Sequence, residues 1–209
     1  IQIYSKLTED AVNEGAQIVV WPETSLPYVL FEYESMRDRV SQLAKDNEVT
    51  IILSAFTRDD ESGEKYNSMI EVKPDGSFGE TVYSKQRLVP FGEFVPMREF
   101  VTFIFPPLAN IGMLEEDLLA GESSVVIYSE EGKIGCGVCF DSIYEKVIID
   151  SARNGAEIIV IATNDSWFSD SAALDMHNAQ ARLRAIESGK YVIRAANTGI
   201  SSIIDPLGN

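Results

Sequence analysis

The chain has 209 residues, of which 45% are hydrophobic, and a formal net charge of −16. Its apolar content is enough for a sizeable core, and its length predicts a single domain over residues 1–209. The acidic balance argues against a nucleic-acid partner, because phosphate binding requires clustered Lys and Arg. No apolar run reaches the length of a membrane span. The chain begins without methionine, and we expect it to be truncated at both ends.

The first predicted elements place a carboxylate at the end of a strand. Periodicity predicts a helix over residues 5–14, and the apolar run 17–21 is typical of a strand buried on both faces. Pro22 ends this strand and leaves Glu23 at its carboxyl end, where open α/β sheets keep their active sites. Taken alone, Glu23 is better explained as a solvated loop carboxylate.

A lysine follows the next group of elements. A helix over 36–47 and a buried strand over 49–55 precede a hairpin, 66–72 and 77–83, around a Pro-Asp-Gly turn. Lys85 lies just after the hairpin. An ordinary surface lysine is the plain interpretation, but beside a reactive thiol this side chain would lower the thiol pKa and could bind an oxyanion.

Residues 100–108 are strongly apolar and contain two prolines. The run is too short to cross a bilayer. It is either a loop packed on the core or a lid that touches lipid or an acyl chain.

A glycine-rich strand over 132–138 turns at Cys139 into a predicted helix over 142–154. The free N–H groups and positive dipole at a helix start favour a thiolate, so Cys139 is a candidate nucleophile. Cys136 lies within the strand, where residues three apart face opposite sides, and we expect it to be structural. With two Cys and one His the chain is poor in zinc ligands, and we predict no metal and no cofactor.

The remaining elements are a buried strand over 157–163, a helix over 174–188 and a hairpin of 191–196 and 201–204. The first of these strands ends in polar and aromatic residues that include Asn164 and Trp167. His177 lies in the helix, where it is expected to be a packing or capping residue rather than a catalytic base. Alternating helices and buried strands with inserted hairpins predict an α/β sandwich with mixed sheets.

Three strand ends thus offer the groups that acyl transfer requires. The Cys139 thiol attacks as a thiolate, and the Glu23 carboxylate can take its proton and return it to the leaving group. Lys85 and the backbone N–H of Phe140 can hold the tetrahedral oxyanion.

Several stretches resemble the nitrilase (carbon–nitrogen hydrolase) superfamily, and within it the extracytoplasmic domain of the apolipoprotein N-acyltransferases. The stretches are VVWPET at 19–24, YSKQRLVPFGEFVP at 83–96, GVCFD at 137–141, NDSWF at 164–168, ARLRAIESG at 181–189, RAANTGIS at 194–201 and IDPLG at 204–208. The resemblance covers nearly the whole chain and implies an α-β-β-α sandwich.

The resemblance also implies roles for single residues. Glu23 would be the general base, Lys85 the oxyanion stabiliser, Cys139 the nucleophile and Glu93 a second essential glutamate. Trp167 and Asn164 become candidate substrate-binding residues, although a core position for Trp167 remains the preferred interpretation. The implied location is the inner cell membrane, with this domain on the extracytoplasmic side and held there by membrane helices that the chain lacks.

The implied reaction is ping-pong and uses no cofactor. Cys139 would take an acyl chain from a phospholipid as a thioester and pass it to the α-amino group of the diacylglyceryl-cysteine of an apolipoprotein. Because both substrates arrive from the membrane, the lid interpretation of residues 100–108 is favoured.

One departure concerns the residues after the nucleophile. The family usually reads Cys-Tyr-Glu, whereas this chain has Phe140 and Asp141 after Cys139. We therefore expect Asp141 to serve less well than the longer carboxylate. Two alternatives stay open: a soluble amidase or carbamoylase with the same three groups, and an interaction domain without activity.

Overall fold

A computed structural model describes residues 1–104 and 116–209. The helices are α1 (Gln2–Asn13), α2 (Glu34–Asp46), α3 (Arg98–Ile104), α4 (Glu145–Arg153) and α5 (Ala173–Ser188). The strands are β1 (Ile18–Val20), β2 (Leu26–Val29), β3 (Thr50–Arg58), β4 (Lys65–Val72), β5 (Phe78–Ser84), β6 (Val126–Ser129), β7 (Gly132–Val138), β8 (Ile158–Thr163), β9 (Tyr191–Ala196) and β10 (Ser202–Ile204).

These strands form two mixed sheets. In the first, the order is β1-β3-β4-β5, and β2 also pairs with β3. The pairs β1–β3 and β2–β3 are parallel, while β3–β4 and β4–β5 are antiparallel. In the second, the order is β10-β9-β8-β7-β6, with parallel β7–β8 and β8–β9 pairs inside antiparallel edges. The mixed sheets predicted from the alternating pattern are confirmed.

The two sheets face each other across a shared apolar core. Ile52, Met69 and Tyr83 of the first sheet belong to the same buried cluster as Cys136 and Val138 of the second. A separate cluster joins the other face of the first sheet to α1 and α2, and residues of α4 and α5 pack on the second sheet. The layers are therefore helix, sheet, sheet, helix, as the family resemblance implied.

The register of the parallel strands decides where the site forms. Val138, the last residue of β7, pairs with Ala162 of β8, so both strands end at the same edge. Cys139 and Asn164 follow these two ends directly and lie side by side.

Several sequence-based boundaries were wrong. The helix predicted over 142–154 is instead a 3-10 turn, Cys139–Ile143, followed by α4. The strand predicted over 17–21 is shorter, and its three residues are only half-buried. The strands β2 and β6 were not predicted at all.

The apolar run 100–108 falls partly within α3, where Phe100, Phe103 and Ile104 are exposed. Its residues 105–108 lie outside the described part of the chain. Among the described residues, no helix has the length and apolar content that a membrane crossing requires.

Candidate active site

The structure brings together the three groups that the sequence placed at strand ends. Glu23 follows β1, Lys85 follows β5 and Cys139 follows β7, and their exposed fractions are 5%, 1% and 7%. The Lys85 Nζ donates to Glu23 Oε1 at 3.2 Å. The Asn164 backbone N–H donates to Glu23 Oε2 at 2.9 Å. The same N–H acts to lower the pKa of Cys139, so it lies near the thiol as well. The site is thus closed to bulk solvent and polar inside.

The Glu23 carboxylate is held by three donors. Besides Lys85 and the Asn164 N–H, the Asn67 side-chain amide donates to Oε1 at 2.8 Å. Asn67 lies in β4, next to β3 and β5. Because each donor comes from a different strand or strand end, the carboxylate has one fixed orientation, with its oxygens facing the lysine and the thiol region.

A second glutamate shares the lysine. Lys85 Nζ donates to Glu93 Oε1 at 2.8 Å, and the Val89 N–H donates to Glu93 Oε2 at 2.9 Å. Burial works to lower the pKa of Lys85, but the charges of Glu23 and Glu93 help to outweigh it and raise that pKa well above its usual value. Lys85 is therefore a permanent cation, and with two glutamates around one lysine the cluster carries a formal charge of −1 (one cation, two anions).

The Cys139 thiol is not a resting thiolate. Burial, together with the charge of Glu23, raises its pKa to about 12, against the opposing effects of Lys85, Thr163 and the Asn164 N–H. The prediction of a thiolate favoured by a helix start was wrong for two reasons. The residue opens a short 3-10 turn rather than an α-helix, and burial together with the charge of Glu23 disfavours the thiolate.

Asp141 joins the nucleophile turn, Cys139–Ile143, to the lysine loop, residues 85–96. Its Oδ2 accepts from the Tyr83 hydroxyl at 2.7 Å and from the Val138 N–H at 3.0 Å. Its Oδ1 accepts from the N–H groups of Gln86 and Arg87, at 3.2 and 2.8 Å. The side chain is fully buried, and burial raises its pKa. Both oxygens are engaged without a longer side chain, which gives no support to the expectation that aspartate serves less well here.

A cavity of about 110 Å³ opens beside Glu23 and Glu93. Trp167 is 47% exposed and lines this cavity together with Asn164, so the preferred core position for Trp167 was wrong. Gly92 lies under the tryptophan ring, where a Cβ would come within 3.0 Å of its Cη2 atom. Phe140 contacts the edge of the Tyr144 ring.

The remaining cysteine and the histidine are structural neighbours of the site. Cys136 is fully buried, and burial raises its pKa to about 12. His177 is buried too, and its Nδ1 lies 2.7 Å from Asp165 Oδ1. Metal-binding atoms of Cys139, Asp165 and His177 lie within 4.8 Å of one another. Asp165 is already bound by Arg194 and Thr163, so we treat the group as a hydrogen-bond network.

Sequence reasoning missed Asn67 and the pairing of Asp165 with His177. Asn67 carries no signal, since a single amide within a strand is indistinguishable from any polar strand residue. Asp165 lies next to Asn164 at a strand end, and that position was the one available indication.

The family model for carbon–nitrogen hydrolases matches residues 1–209. The chain belongs to this family. A crystal structure of a carbon–nitrogen hydrolase from Helicobacter pylori G27 superposes with a TM-score of 0.78 at 19% identity, over 100% of this chain and 77% of that one. The likeness confirms the nitrilase-type fold.

Among carbon–nitrogen hydrolases, this one is similar to proteins named apolipoprotein N-acyltransferase. The relative from Geobacter metallireducens is 33% identical over 100% of this chain and 40% of its own length. The relative from Gloeobacter violaceus is 30% identical over 100% of this chain and 39% of its own. The chain thus spans about two fifths of the length of these relatives.

Proposed function

We propose that residues 1–209 form the catalytic domain of an apolipoprotein N-acyltransferase. Its acyl donor is a phospholipid, and its acceptor is the α-amino group of the N-terminal diacylglyceryl-cysteine of an apolipoprotein. The observation that carries the proposal is the buried lysine shared by Glu23 and Glu93 beside the Cys139 thiol. The names of the two relatives above support the choice of acceptor.

In the first half-reaction, Glu23 takes the Cys139 proton as Sγ attacks the ester carbonyl carbon of the donor. The charge on the carbonyl oxygen is stabilised by Lys85. Collapse of the tetrahedral intermediate breaks the ester C–O bond, and the leaving alkoxide takes the proton back from Glu23. The products are a Cys139 thioester and a lysophospholipid.

In the second half-reaction, the acceptor amine attacks the thioester carbonyl, and Glu23 takes a proton from the attacking nitrogen. The C–S bond then breaks, and the proton returns to Cys139 as a thiol. The cluster of Lys85, Glu23 and Glu93 favours this sequence of proton transfers. Because Lys85 is already neutralised by Glu93, Glu23 retains the charge that makes it a base in both halves.

Several exposed apolar side chains lie close to the lysine loop. Phe91, Met97, Phe100, Phe103 and Ile104 are between 47% and 86% exposed. They lie in the stretch between the Lys85 loop and the end of α3, which supports the proposal that this edge faces lipid. We place the domain on the extracytoplasmic side of the inner membrane.

A soluble amidase or carbamoylase remains the second candidate. The observation that favours it is the small volume of the cavity, about 110 Å³, which suits a short substrate. In that case water, rather than a lipoprotein amine, would release the acyl group.

The test uses the full-length protein with a phospholipid that carries an isotope-labelled acyl chain. We expect mass spectrometry to find a hydroxylamine-sensitive acyl group on Cys139, and its transfer to an added diacylglyceryl-cysteine peptide. Cys139→Ala should abolish labelling, while the matched control Cys136→Ala should retain most of it. Equal loss in both variants would contradict the assigned roles, and turnover of short amides without lipid labelling would support the second candidate.

A further inference from the structure

The nucleophile has an unusual backbone that neighbouring groups must hold. Cys139 has φ +48°, in the left-handed region that residues other than glycine rarely adopt. Such a conformation costs on the order of 1 to 3 kcal/mol and persists only when surrounding contacts fix it. The Cys139 carbonyl oxygen is one point of fixation. The Ser142 hydroxyl lies 2.7 Å from it and the His177 Nε2 lies 3.2 Å from it.

His177 reaches this carbonyl from another element, α5, and its ring is fixed at the opposite end. Nδ1 lies 2.7 Å from Asp165 Oδ1. Arg194 Nη2 and Thr163 Oγ1 also donate to Asp165, at 2.7 and 3.0 Å. A carboxylate surrounded by donors is an acceptor, so Nδ1 carries a hydrogen. At the other end of the ring, the Ser142 hydroxyl gives its one hydrogen to the Cys139 carbonyl, so Nε2 faces two oxygen acceptors and must donate as well. The ring therefore holds a hydrogen on both nitrogens and cannot turn over without losing these bonds. Nε2 therefore points permanently at the nucleophile turn.

The helix α5 contacts the nucleophile turn at a second point. Arg184, which is also buried, donates to the Ile143 carbonyl at 3.0 Å. The Ser142 hydroxyl lies 2.9 Å from His177 Nε2, so serine and histidine meet at the Cys139 carbonyl. The turn that carries the thiol is thus anchored to α5 through side chains, in addition to its own 3-10 hydrogen bonds.

We propose that His177 is a positioning residue, which holds the Cys139 carbonyl and thereby keeps Sγ next to Glu23. The residue does not exchange protons with substrate, because both ring nitrogens already have protein partners. This role rests only on the part of the proposed function that makes Cys139 the nucleophile, and it is independent of the acyl acceptor. Misplacing a reacting atom by about 1 Å can cost on the order of 100-fold in rate.

Two replacements of His177 test the contacts of its two ring nitrogens separately. The amide of His177→Gln occupies the place of Nε2, so it keeps a donor near the Cys139 carbonyl and gives up Asp165. The amide of His177→Asn occupies the place of Nδ1, so it keeps Asp165 and gives up the carbonyl. The probe is iodoacetamide, and mass spectrometry measures the rate at which Cys139 is alkylated in the folded chain. The melting temperature of each variant is measured alongside.

We expect His177→Asn to slow alkylation by roughly 10- to 100-fold, and to lower kcat rather than raise KM in the full-length protein. His177→Gln should keep most of the wild-type alkylation rate, even if its melting temperature is the lower of the two variants. Wild-type alkylation in His177→Asn would overturn the proposal. So would equal losses in both variants that follow their melting temperatures, since stability alone would then explain them.

A second pair of variants covers the case in which the histidine replacements do not fold. Ser142→Ala removes the other contact to the Cys139 carbonyl. Ser151→Ala is the matched control, a buried serine that bonds the Val147 carbonyl within α4. Slower alkylation in Ser142→Ala alone supports the proposal, and equal rates in the two variants overturn it. Acyl labelling from the phospholipid donor that persists in Cys139→Ala would instead show that the nucleophile itself is misassigned.

Discussion

Lys85 Nζ lies 2.8 Å from Glu93 Oε1 and is farther, 3.2 Å, from Oε1 of Glu23, the proposed general base. The lysine loop therefore supplies its own counter-ion, which the Val89 N–H holds in place. Because Glu93 neutralises the lysine, a net negative charge remains near the thiol. Burial and the charge of Glu23 together keep the resting Cys139 thiol protonated.

The first prediction concerns this counter-ion. Glu93→Gln keeps the size of the side chain but removes its charge, so Lys85 would pair with Glu23 alone and compete with the thiol proton for that carboxylate. We expect acyl-enzyme formation to slow by about 100-fold, the lower end of what a general base contributes. Single-turnover labelling that is quenched at successive times measures this rate. Glu80→Gln, at an exposed position of β5, is the control, and similar rates in the two variants would refute the role of Glu93.

The second prediction concerns Asp141. Asn at this position would direct an NH₂ group at two of the four donors, leaving buried groups unpaired. We expect Asp141→Asn to lower the free energy of unfolding by about 3 kcal/mol, which corresponds to a melting temperature roughly 10 °C lower. Thermal unfolding checks the value. Asp150→Asn removes a partly exposed aspartate of α4 and should change stability by less than about 1 kcal/mol. A small shift for both variants would show that the Asp141 contacts contribute little.

Much of the site followed from a simple rule applied to the sequence. Buried apolar runs marked the strands, and polar residues immediately after them marked the edge where Glu23, Lys85 and Cys139 meet. This works for Glu23 and Lys85 because β1 and β5 run in the same direction within the first sheet, and Cys139 joins them from the second sheet, which faces the first. The fold class followed in the same way, from strands too apolar to be exposed.

The state of the thiol could not be predicted in this manner. A helix start favours a thiolate, but the direction of the pKa shift of Cys139 is set by its burial and by the nearness of Glu23, and both depend on how the two sheets pack. The network under the nucleophile was also hidden, because Asp165, His177 and Arg194 lie on three different elements. Trp167 was misplaced since an aromatic residue after a strand packs inward more often than it lines a cavity.

The third prediction follows from the raised pKa of Cys139, about 12. The thiolate is the reactive form, so iodoacetamide alkylation should rise about tenfold per pH unit between about pH 7 and about pH 9.5, with no plateau near the ordinary cysteine pKa of about 8.5. The unfolded chain loses this proton first, so stability is retained below about pH 8.5 and declines above it. Circular dichroism at each pH confirms that the fold is intact, and a plateau near pH 8.5 would contradict the raised pKa.

The fourth prediction separates the two effects of Glu23. Its charge raises the pKa of Cys139, and its carboxylate is also the proposed base. Glu23→Gln removes the charge while an amide oxygen can still accept from Asn67. We therefore expect the alkylation profile to move to lower pH, so that iodoacetamide reacts faster at about pH 7, whereas acyl transfer falls by about 100-fold or more. A common structural defect would lower both rates together. Parallel losses in alkylation and transfer would thus refute the separate assignment, and opposite changes would show that one carboxylate both restrains the thiol and activates it.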